Sequence, residues 1–165
     1  MGHFERWGHQ QPTRMDFLID FLTQYGYWGM LIAAFIAGSF FPFSSEAVML
    51  GLLATGLDGW LLIVYGSIGN ILGSMVNYGF GRLGRLEWVE RYLHVKPRDL
   101  QRAQRFMAGR GAWMGFFAFL PIIGSAITIL LGFMRANIPV TLLSIALGKF
   151  LRYWLLIYGA SFLIG

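Results

Sequence analysis

A proline-broken apolar segment occurs twice in this chain, and the two copies align without a gap. The first copy is FFPFSSEA at residues 40–47, and the second is FLPIIGSA at residues 119–126. The same offset also pairs three later positions, namely Asp58 with Asn137, Gly69 with Gly148 and Asn70 with Lys149. The alignment indicates an internal duplication. In a membrane protein, two interrupted apolar segments in corresponding halves point to a transport site near the bilayer midplane.

The composition of the chain is that of a membrane protein. Hydrophobic residues make up 56% of the 165 residues and charged residues 13%, whereas soluble domains carry about 25% charged residues. Four apolar stretches, at residues 17–43, 47–80, 112–134 and 138–165, reach or exceed the roughly 20 residues that span hydrocarbon. The sequence therefore predicts an all-α integral membrane protein with a single membrane domain over residues 16–165. Residues 1–15 are polar, and we interpret them as an extension or a cloning remnant.

Two of the apolar stretches are expected to turn back inside the membrane. Pro42 ends the first helix, which is predicted over residues 17–38, because proline removes a backbone donor and disfavours helix before it. The apolar return at residues 42–54 is then too short to cross a bilayer. Pro121 and Gly124 interrupt the third apolar stretch in the same way. Each proline break is therefore interpreted as the tip of a re-entrant helical hairpin.

These hairpins predict an inverted repeat in which each unit is a re-entrant hairpin followed by a transmembrane helix. Repeat one covers about residues 40–82, and repeat two covers about residues 112–163. The linker between them, residues 82–111, carries eight of the thirteen basic residues and is expected to be cytoplasmic. If the first helix starts inside and crosses, the first hairpin exits outside at Asp58 and the second exits inside at Arg135. Four or five uninterrupted spans are the alternative.

The transmembrane helix of repeat one, predicted over residues 60–80, carries small and polar residues on one face. They are Gly66, Gly69, Asn70, Gly73, Ser74 and Asn77. Such a stripe lets another helix approach closely. Because an unpaired amide is costly in hydrocarbon, the two asparagines are expected to face protein or water.

Three charged residues are hard to place in lipid, where each costs about 2.5 to 3.5 kcal/mol at a helix centre. If Glu46, Lys149 and Arg152 converge, one positive charge is in excess, and a phosphate can neutralise it. Glu46 can instead take up a proton and couple transport to protons. The alternatives are a purely structural ion pair, a cation that extends to the membrane interface, and serines that only cap the breaks. The candidate substrate-binding or proton-coupling residues are Glu46, Lys149, Arg152, Asn70, Ser45 and Ser125.

The sequence offers no set of residues for covalent or metal chemistry. The chain has no cysteine, and its three histidines do not have the spacing of metal ligands. None of the usual motifs that join a nucleophile to a base is present. We therefore expect neither an enzyme nor a bound metal or cofactor.

Four short motifs follow one another along residues 17–163. They are Phe41 to Glu46, then Gly69-Asn70 with Gly73 and Asn77, then Pro121 to Ser125, and then Gly148-Lys149 with Arg152-Tyr153. Together they resemble the DedA family of bacterial membrane proteins, also called VTT or SNARE-associated, and are most similar to its YqaA-type branch. The resemblance implies two facing re-entrant hairpins and a bacterial inner-membrane location. It also implies movement of undecaprenyl phosphate or phospholipids between leaflets, and in some members dependence on the proton gradient.

The resemblance assigns Glu46 to the acidic residue of the family's first hairpin. The chain departs from the family at Asn70, where many members carry an acid, and at Ala118 and Gly124, where many carry arginine. Lys149 and Arg152 are expected to supply the positive charge that these departures remove.

The combined expectation is an inner-membrane transporter or flippase of an anionic, phosphate-bearing lipid, which supports membrane homeostasis, with proton coupling as one option. The expected partners are membrane lipids, such as a polyprenyl phosphate or a phospholipid, and further copies of the chain in a homo-oligomer. Nucleic acid is not expected. The alternative functions are transport of a small soluble ion and a non-transporting membrane scaffold.

Overall fold

The computed structural model describes residues 14–39, 41, 43–84, 87, 90–91, 94, 96–108, 110–120, 123–159 and 162, without the side chains of 14–24, 100 and 103. The helices are α1 (Arg14–Gly38), α2 (Ser45–Ala54), α3 (Gly59–Leu83), α4 (Pro97–Met107), a 3₁₀ helix (Gly111–Phe119), α5 (Ile123–Phe133) and α6 (Ile138–Trp154), which continues as a π-helix over Leu155–Gly159. This part of the chain contains no β-strand, so the prediction of an all-helical fold is confirmed. Most of the predicted extension 1–15 lies outside the described residues.

Helix length separates two kinds of element. Within the described residues, Gly59–Leu83 and Ile138–Gly159 are long and apolar enough to cross a membrane. By contrast, α2 has 10 residues and α5 has 11. At 1.5 Å per residue each is about 15 Å long, which is half the thickness of the hydrocarbon. Residues 112–134 are not one continuous helix, because the 3₁₀ helix ends at Phe119 and Leu120 has an extended backbone.

The exit turns after α2 and α5 share one local structure. Gly56 and Arg135, which the offset of the duplication pairs, both have a positive φ, at 93° and 53°. Asp58 and Asn137, which are also paired, cap α3 and α6 by accepting a hydrogen bond from the backbone amide three residues further on. Because matched positions have matched roles, the duplication in the sequence is also a duplication of local structure.

The two long helices pack through glycines that touch backbone. A Cβ on Gly69 would collide with the carbonyl oxygen of Leu31 in α1, and one on Gly148 with the carbonyl oxygen of Phe116 in the 3₁₀ helix. These two glycines are another pair of the duplication. The predicted small and polar stripe of α3 is buried at all six positions, as the sequence indicated.

Helix α1 runs parallel to α3. The Tyr27 hydroxyl accepts a hydrogen bond from the amide of Asp58 (3.0 Å), so the middle of α1 lies beside the start of α3. The Asn77 amide nitrogen donates to the Gly38 carbonyl (3.1 Å), so the end of α1 lies far along α3. The glycine contacts therefore hold the end of α1 in the interior, beside the middle and later part of α3.

In the second half, the 3₁₀ helix packs along α6. The 3₁₀ helix runs parallel to α6, because Gly148 lies against the Phe116 carbonyl and Arg152, one turn later, bonds the Phe119 carbonyl. Helix α6 is antiparallel to α3, since Ile157 of its π-helical end packs at Gly59 while Lys149, earlier in α6, bonds Asn70, later in α3.

The two chain breaks meet inside the protein. The Ser125 hydroxyl, near the start of α5, donates to the carbonyl of Ser39, directly after α1 (3.3 Å). Gly124 lies in the first turn of α5, against the Ala118 carbonyl, rather than in the break itself. The predicted break residues Pro42 and Pro121 lie outside the described residues.

We expect Gly69→Ala to lower the free energy of unfolding by about 1 to 3 kcal/mol, because its Cβ must push α1 away from α3. Gly79→Ala in the same helix is the matched control, since a Cβ there meets nothing within 4 Å. The control should be neutral, or stabilising by up to about 1 kcal/mol, because alanine favours helix over glycine. Surfactant-induced unfolding followed by circular dichroism measures both. Equal losses in the two variants would contradict the close packing of α1 on α3.

Candidate functional site

An ion pair joins the two halves of the molecule. Glu46, in the first turn of α2, contacts Arg152 of α6, and about a quarter of each side chain is exposed (25% and 27%). Ser44 caps α2 by accepting from the Ala47 amide, and its hydroxyl lies 3.2 Å from the Glu46 carboxylate. The acid therefore lies at a helix N-terminus, where the helix dipole stabilises a negative charge.

Arg152 has a second partner. Its guanidinium also donates a hydrogen bond to the carbonyl of Phe119, the last residue of the 3₁₀ helix. Guanidinium groups have five N–H donors in a fixed plane, so one arginine can bind a carboxylate and a carbonyl together. Arg152 therefore links the start of α2 to the end of the 3₁₀ helix.

A chain of buried polar side chains lies beside this pair. Lys149 donates to the Asn70 side-chain oxygen, and the Asn70 amide nitrogen donates to the Tyr153 hydroxyl (2.7 Å). The Tyr153 hydroxyl also lies 2.7 Å from the Ser45 hydroxyl. All four residues are at most 6% exposed. The network thus connects α2, α3 and α6.

The Lys149 amine has no carboxylate partner in the network. Glu46 and Arg152 balance each other, whereas Lys149 is bonded to a neutral amide. Within the described part of the chain, no carboxylate lies within 4 Å of the Lys149 amine. The structure thus brings together five of the six candidate residues, with a net charge of +1 if all three ionisable groups are charged.

The sixth candidate, Ser125, lies with a different group of residues. It bonds the Ser39 carbonyl, next to Gly38, whose carbonyl accepts from Asn77. The Asn77 side-chain oxygen itself is buried and finds no hydrogen-bond partner among the described residues. Ser125, the Ser39 carbonyl and Asn77 therefore make the meeting point of the breaks polar.

Tyr153 is the site residue that the sequence reasoning missed. Its side chain is fully buried and its hydroxyl bonds two of the candidate residues. The signal was its position four residues after Lys149, which puts both on one face of α6. A tyrosine in an apolar helix is otherwise typical of membrane interfaces, so Tyr153 was named only within a motif and not as a site residue.

We expect Tyr153→Phe to destabilise the protein by about 2 kcal/mol, because Ser45 and the Asn70 amide nitrogen lose a buried hydrogen-bond partner. Tyr65→Phe is the control, because the ring contacts of Tyr65 with Tyr27 and Trp28 are kept when only its hydroxyl is removed. The control should change stability by less than about 0.5 kcal/mol. Surfactant unfolding of both variants measures the difference. A Tyr153→Phe variant as stable as the control would show that the hydroxyl contributes nothing to the network.

Comparison with known proteins identifies the family of this chain. The VTT domain matches residues 41–162, which include both breaks and every residue of the network. No solved structure matches the chain.

Several relatives are similar over most of the chain. A protein named alkaline phosphatase-like protein in Lactococcus lactis subsp. cremoris (strain MG1363) is 30% identical, over 81% of this chain and 68% of its own length. The inner membrane protein YqaA of Escherichia coli (strain K12) is 26% identical, over 76% of this chain and 84% of its own. The uncharacterized membrane protein YkoX of Bacillus subtilis (strain 168) is 29% identical, over 73% and 56%. The chain therefore belongs to the VTT domain family of membrane proteins, the DedA family.

Proposed function

We propose that this protein transports an anionic, phosphate-bearing lipid between the leaflets of the bacterial inner membrane. The observation that carries the proposal is the network around Glu46 and Arg152, in which Lys149 adds a positive charge without a carboxylate partner. Buried charges in membrane proteins are expensive and usually functional. A phosphate group suits such a site, because arginine binds its oxygens in a fork and lysine adds a point charge.

The surroundings of the ion pair favour a lipid over a small soluble ion. Glu46 and Arg152 are partly exposed, and four apolar side chains within three residues of them along the chain are exposed. These neighbours are Phe43, Ala47, Leu151 and Leu155. A headgroup can reach the charges from the side while its apolar tail stays in the bilayer. A soluble ion gains nothing from an apolar surface around its site.

The proposal includes two inverted re-entrant hairpins. The second half of α1 with α2 forms one hairpin, and the 3₁₀ helix with α5 forms the other. The contact between Ser39 and Ser125 supports this arrangement, because it joins the two tips. The shared exit turns and the glycine contacts support it as well. In this topology the basic linker is cytoplasmic, and Asp58 lies on the outer face.

Proton coupling through Glu46 fits the same geometry. A phosphate that displaces the carboxylate from Arg152 leaves Glu46 without its cation. A carboxylate that loses a cation in an apolar setting takes up a proton more readily. Binding of the substrate at Arg152 and proton uptake at Glu46 are then linked events.

Reconstituted protein is expected to accelerate exchange of a fluorescent polyprenyl phosphate or phospholipid between liposome leaflets, measured by chemical quenching from outside. Lys149→Met and Arg152→Gln should each lower the rate about ten-fold or more, since charge-assisted hydrogen bonds contribute about 1.5 to 3 kcal/mol. Arg91→Gln, an exposed change in the linker, is the control and should exchange lipid at the wild-type rate. Glu46→Gln should remove the response to a pH gradient.

Other results of this experiment point elsewhere. Uptake of inorganic phosphate without lipid exchange would support a small-ion transporter, and neither activity across a lipid panel would leave a membrane scaffold. Release of inorganic phosphate from the lipid would indicate hydrolysis instead of transport. Wild-type exchange in the Lys149, Arg152 and Glu46 variants together would eliminate the proposed site.

The hairpin topology has its own test, which the cysteine-free sequence makes simple. Single cysteines at Asp58 and Arg135, both exposed positions, are labelled in intact cells with a membrane-impermeant maleimide. Asp58→Cys should react from outside, and Arg135→Cys should react only after the membrane is permeabilised. Labelling of both from the same side would refute the inverted arrangement.

A further inference from the structure

Helix α4 is anchored at one end of the bundle. Its last residue, Met107, is 3% exposed and belongs to a buried apolar cluster with Tyr78 of α3 and Ile129 and Leu130 of α5. Tyr78 lies about 8 Å before the end of α3 at Leu83, at 1.5 Å per residue. If α3 spans the membrane, this is the depth at which hydrocarbon gives way to headgroups.

The face of α4 opposite this anchor is basic. Arg98, Arg102 and Arg105 share it, because steps of three and four residues keep side chains on one side of a helix. All three are exposed, and Met107 lies roughly opposite them on the helix. Asp99 approaches Arg102 at 3.9 Å, but both side chains are more than half exposed, so this pair is weak. The face is therefore net positive.

Exposed aromatic side chains accompany the arginines. Phe106 is 60% exposed, and the Arg110 guanidinium carbon lies 4.4 Å from the centre of its ring. Trp113, in the 3₁₀ helix that follows, is 63% exposed. Aromatic rings beside arginines are typical of the membrane interface, where the ring contacts acyl chains and the charge reaches the phosphate level.

We infer that the arginine face of α4, defined as Arg98, Arg102 and Arg105, binds headgroups of anionic phospholipids in the leaflet next to the linker. Two independent features support a bilayer as the partner. The charge of the face is complementary to anionic headgroups, and the apolar residues at the end of α4 hold it at the interface. This surface is distinct from the Glu46–Arg152 site, and its lipid binding does not require that the protein transport anything.

The test uses the full-length protein in lipid nanodiscs of phosphatidylcholine that contain spin-labelled phosphatidylglycerol or spin-labelled phosphatidylcholine. Electron paramagnetic resonance gives the immobilised fraction of each probe, and thus the preference of the protein for the anionic lipid. The wild type should prefer phosphatidylglycerol. Combined Arg98→Gln, Arg102→Gln and Arg105→Gln should bring the preference close to one, since each arginine at an anionic surface contributes about five-fold.

The matched control removes three exposed charges outside α4, namely Arg82→Gln, Arg91→Gln and Arg135→Gln together. It should keep the wild-type preference. An equal loss in the control would mean that only diffuse charge acts, and would overturn the inference. The absence of any wild-type preference would overturn it too.

Two further measurements do not depend on how well the variants fold. Higher ionic strength should weaken the wild-type preference, because exposed charges are screened within about 10 Å at 0.1 M salt. A preference that does not respond to salt would contradict the inference. Binding of RNA or an acidic peptide by wild-type protein in neutral nanodiscs, without any lipid preference, would assign the face to a soluble partner instead.

Discussion

Helix ends that lie inside a membrane protein must find hydrogen-bond partners there, and the interior polar residues of this fold follow from that constraint. The end of α1 is served by Ser39 itself and by donors from Asn77 and Ser125. The end of the 3₁₀ helix is served by Arg152, and the start of α2 by Ser44. Most of these partners belong to a different helix. Each break in the chain is therefore stabilised by another part of the bundle, which keeps the two halves together.

The same constraint connects structure to the proposed transport. Arg152 both satisfies the Phe119 carbonyl and pairs with Glu46, so a ligand that binds its guanidinium competes with two structural contacts. Loss of either contact loosens the link between α2 and the 3₁₀ helix. In our proposal, the phosphate group that occupies Arg152 is thus also the signal that lets the hairpins move. While the phosphate occupies Arg152, the buried hydrogen bonds of Tyr153 to Ser45 and Asn70 still join α2, α3 and α6.

Sequence reasoning was most successful where one helix decides the outcome. The stripe from Gly66 to Asn77 was predicted from helical spacing alone and is buried. The convergence of Glu46 with Lys149 and Arg152 was only a condition of the sequence argument, because it depends on how different helices pack. The depth of α1 along α3 was not predicted, because it depends on how closely Gly69 lets the two backbones approach. That depth is a property of two packed backbones and leaves no periodic signal in either helix. Tyr153 was missed for a related reason, since its partners come from two other helices.

The two copies of the duplicated unit have diverged at the positions of the charged residues. In α3 these positions hold small or neutral residues that allow close packing, and in α6 they hold positive charges. Gly73 of the first copy corresponds to Arg152 of the second, Asn70 to Lys149, and Ser125 of the second copy to Glu46 of the first. At Gly73 the absence of a side chain makes room for the end of α1, so a charged residue there would block the close approach of the helices. In the second copy the corresponding residue is Arg152 of α6, and its long side chain reaches across to Glu46 of α2. An exchange of these residues between the copies would therefore not move the site to the other half. Because α1 packs closely on α3, the position in α3 that corresponds to Arg152 cannot hold a long charged side chain. The polar network is therefore asymmetric, although the two halves of the fold are similar.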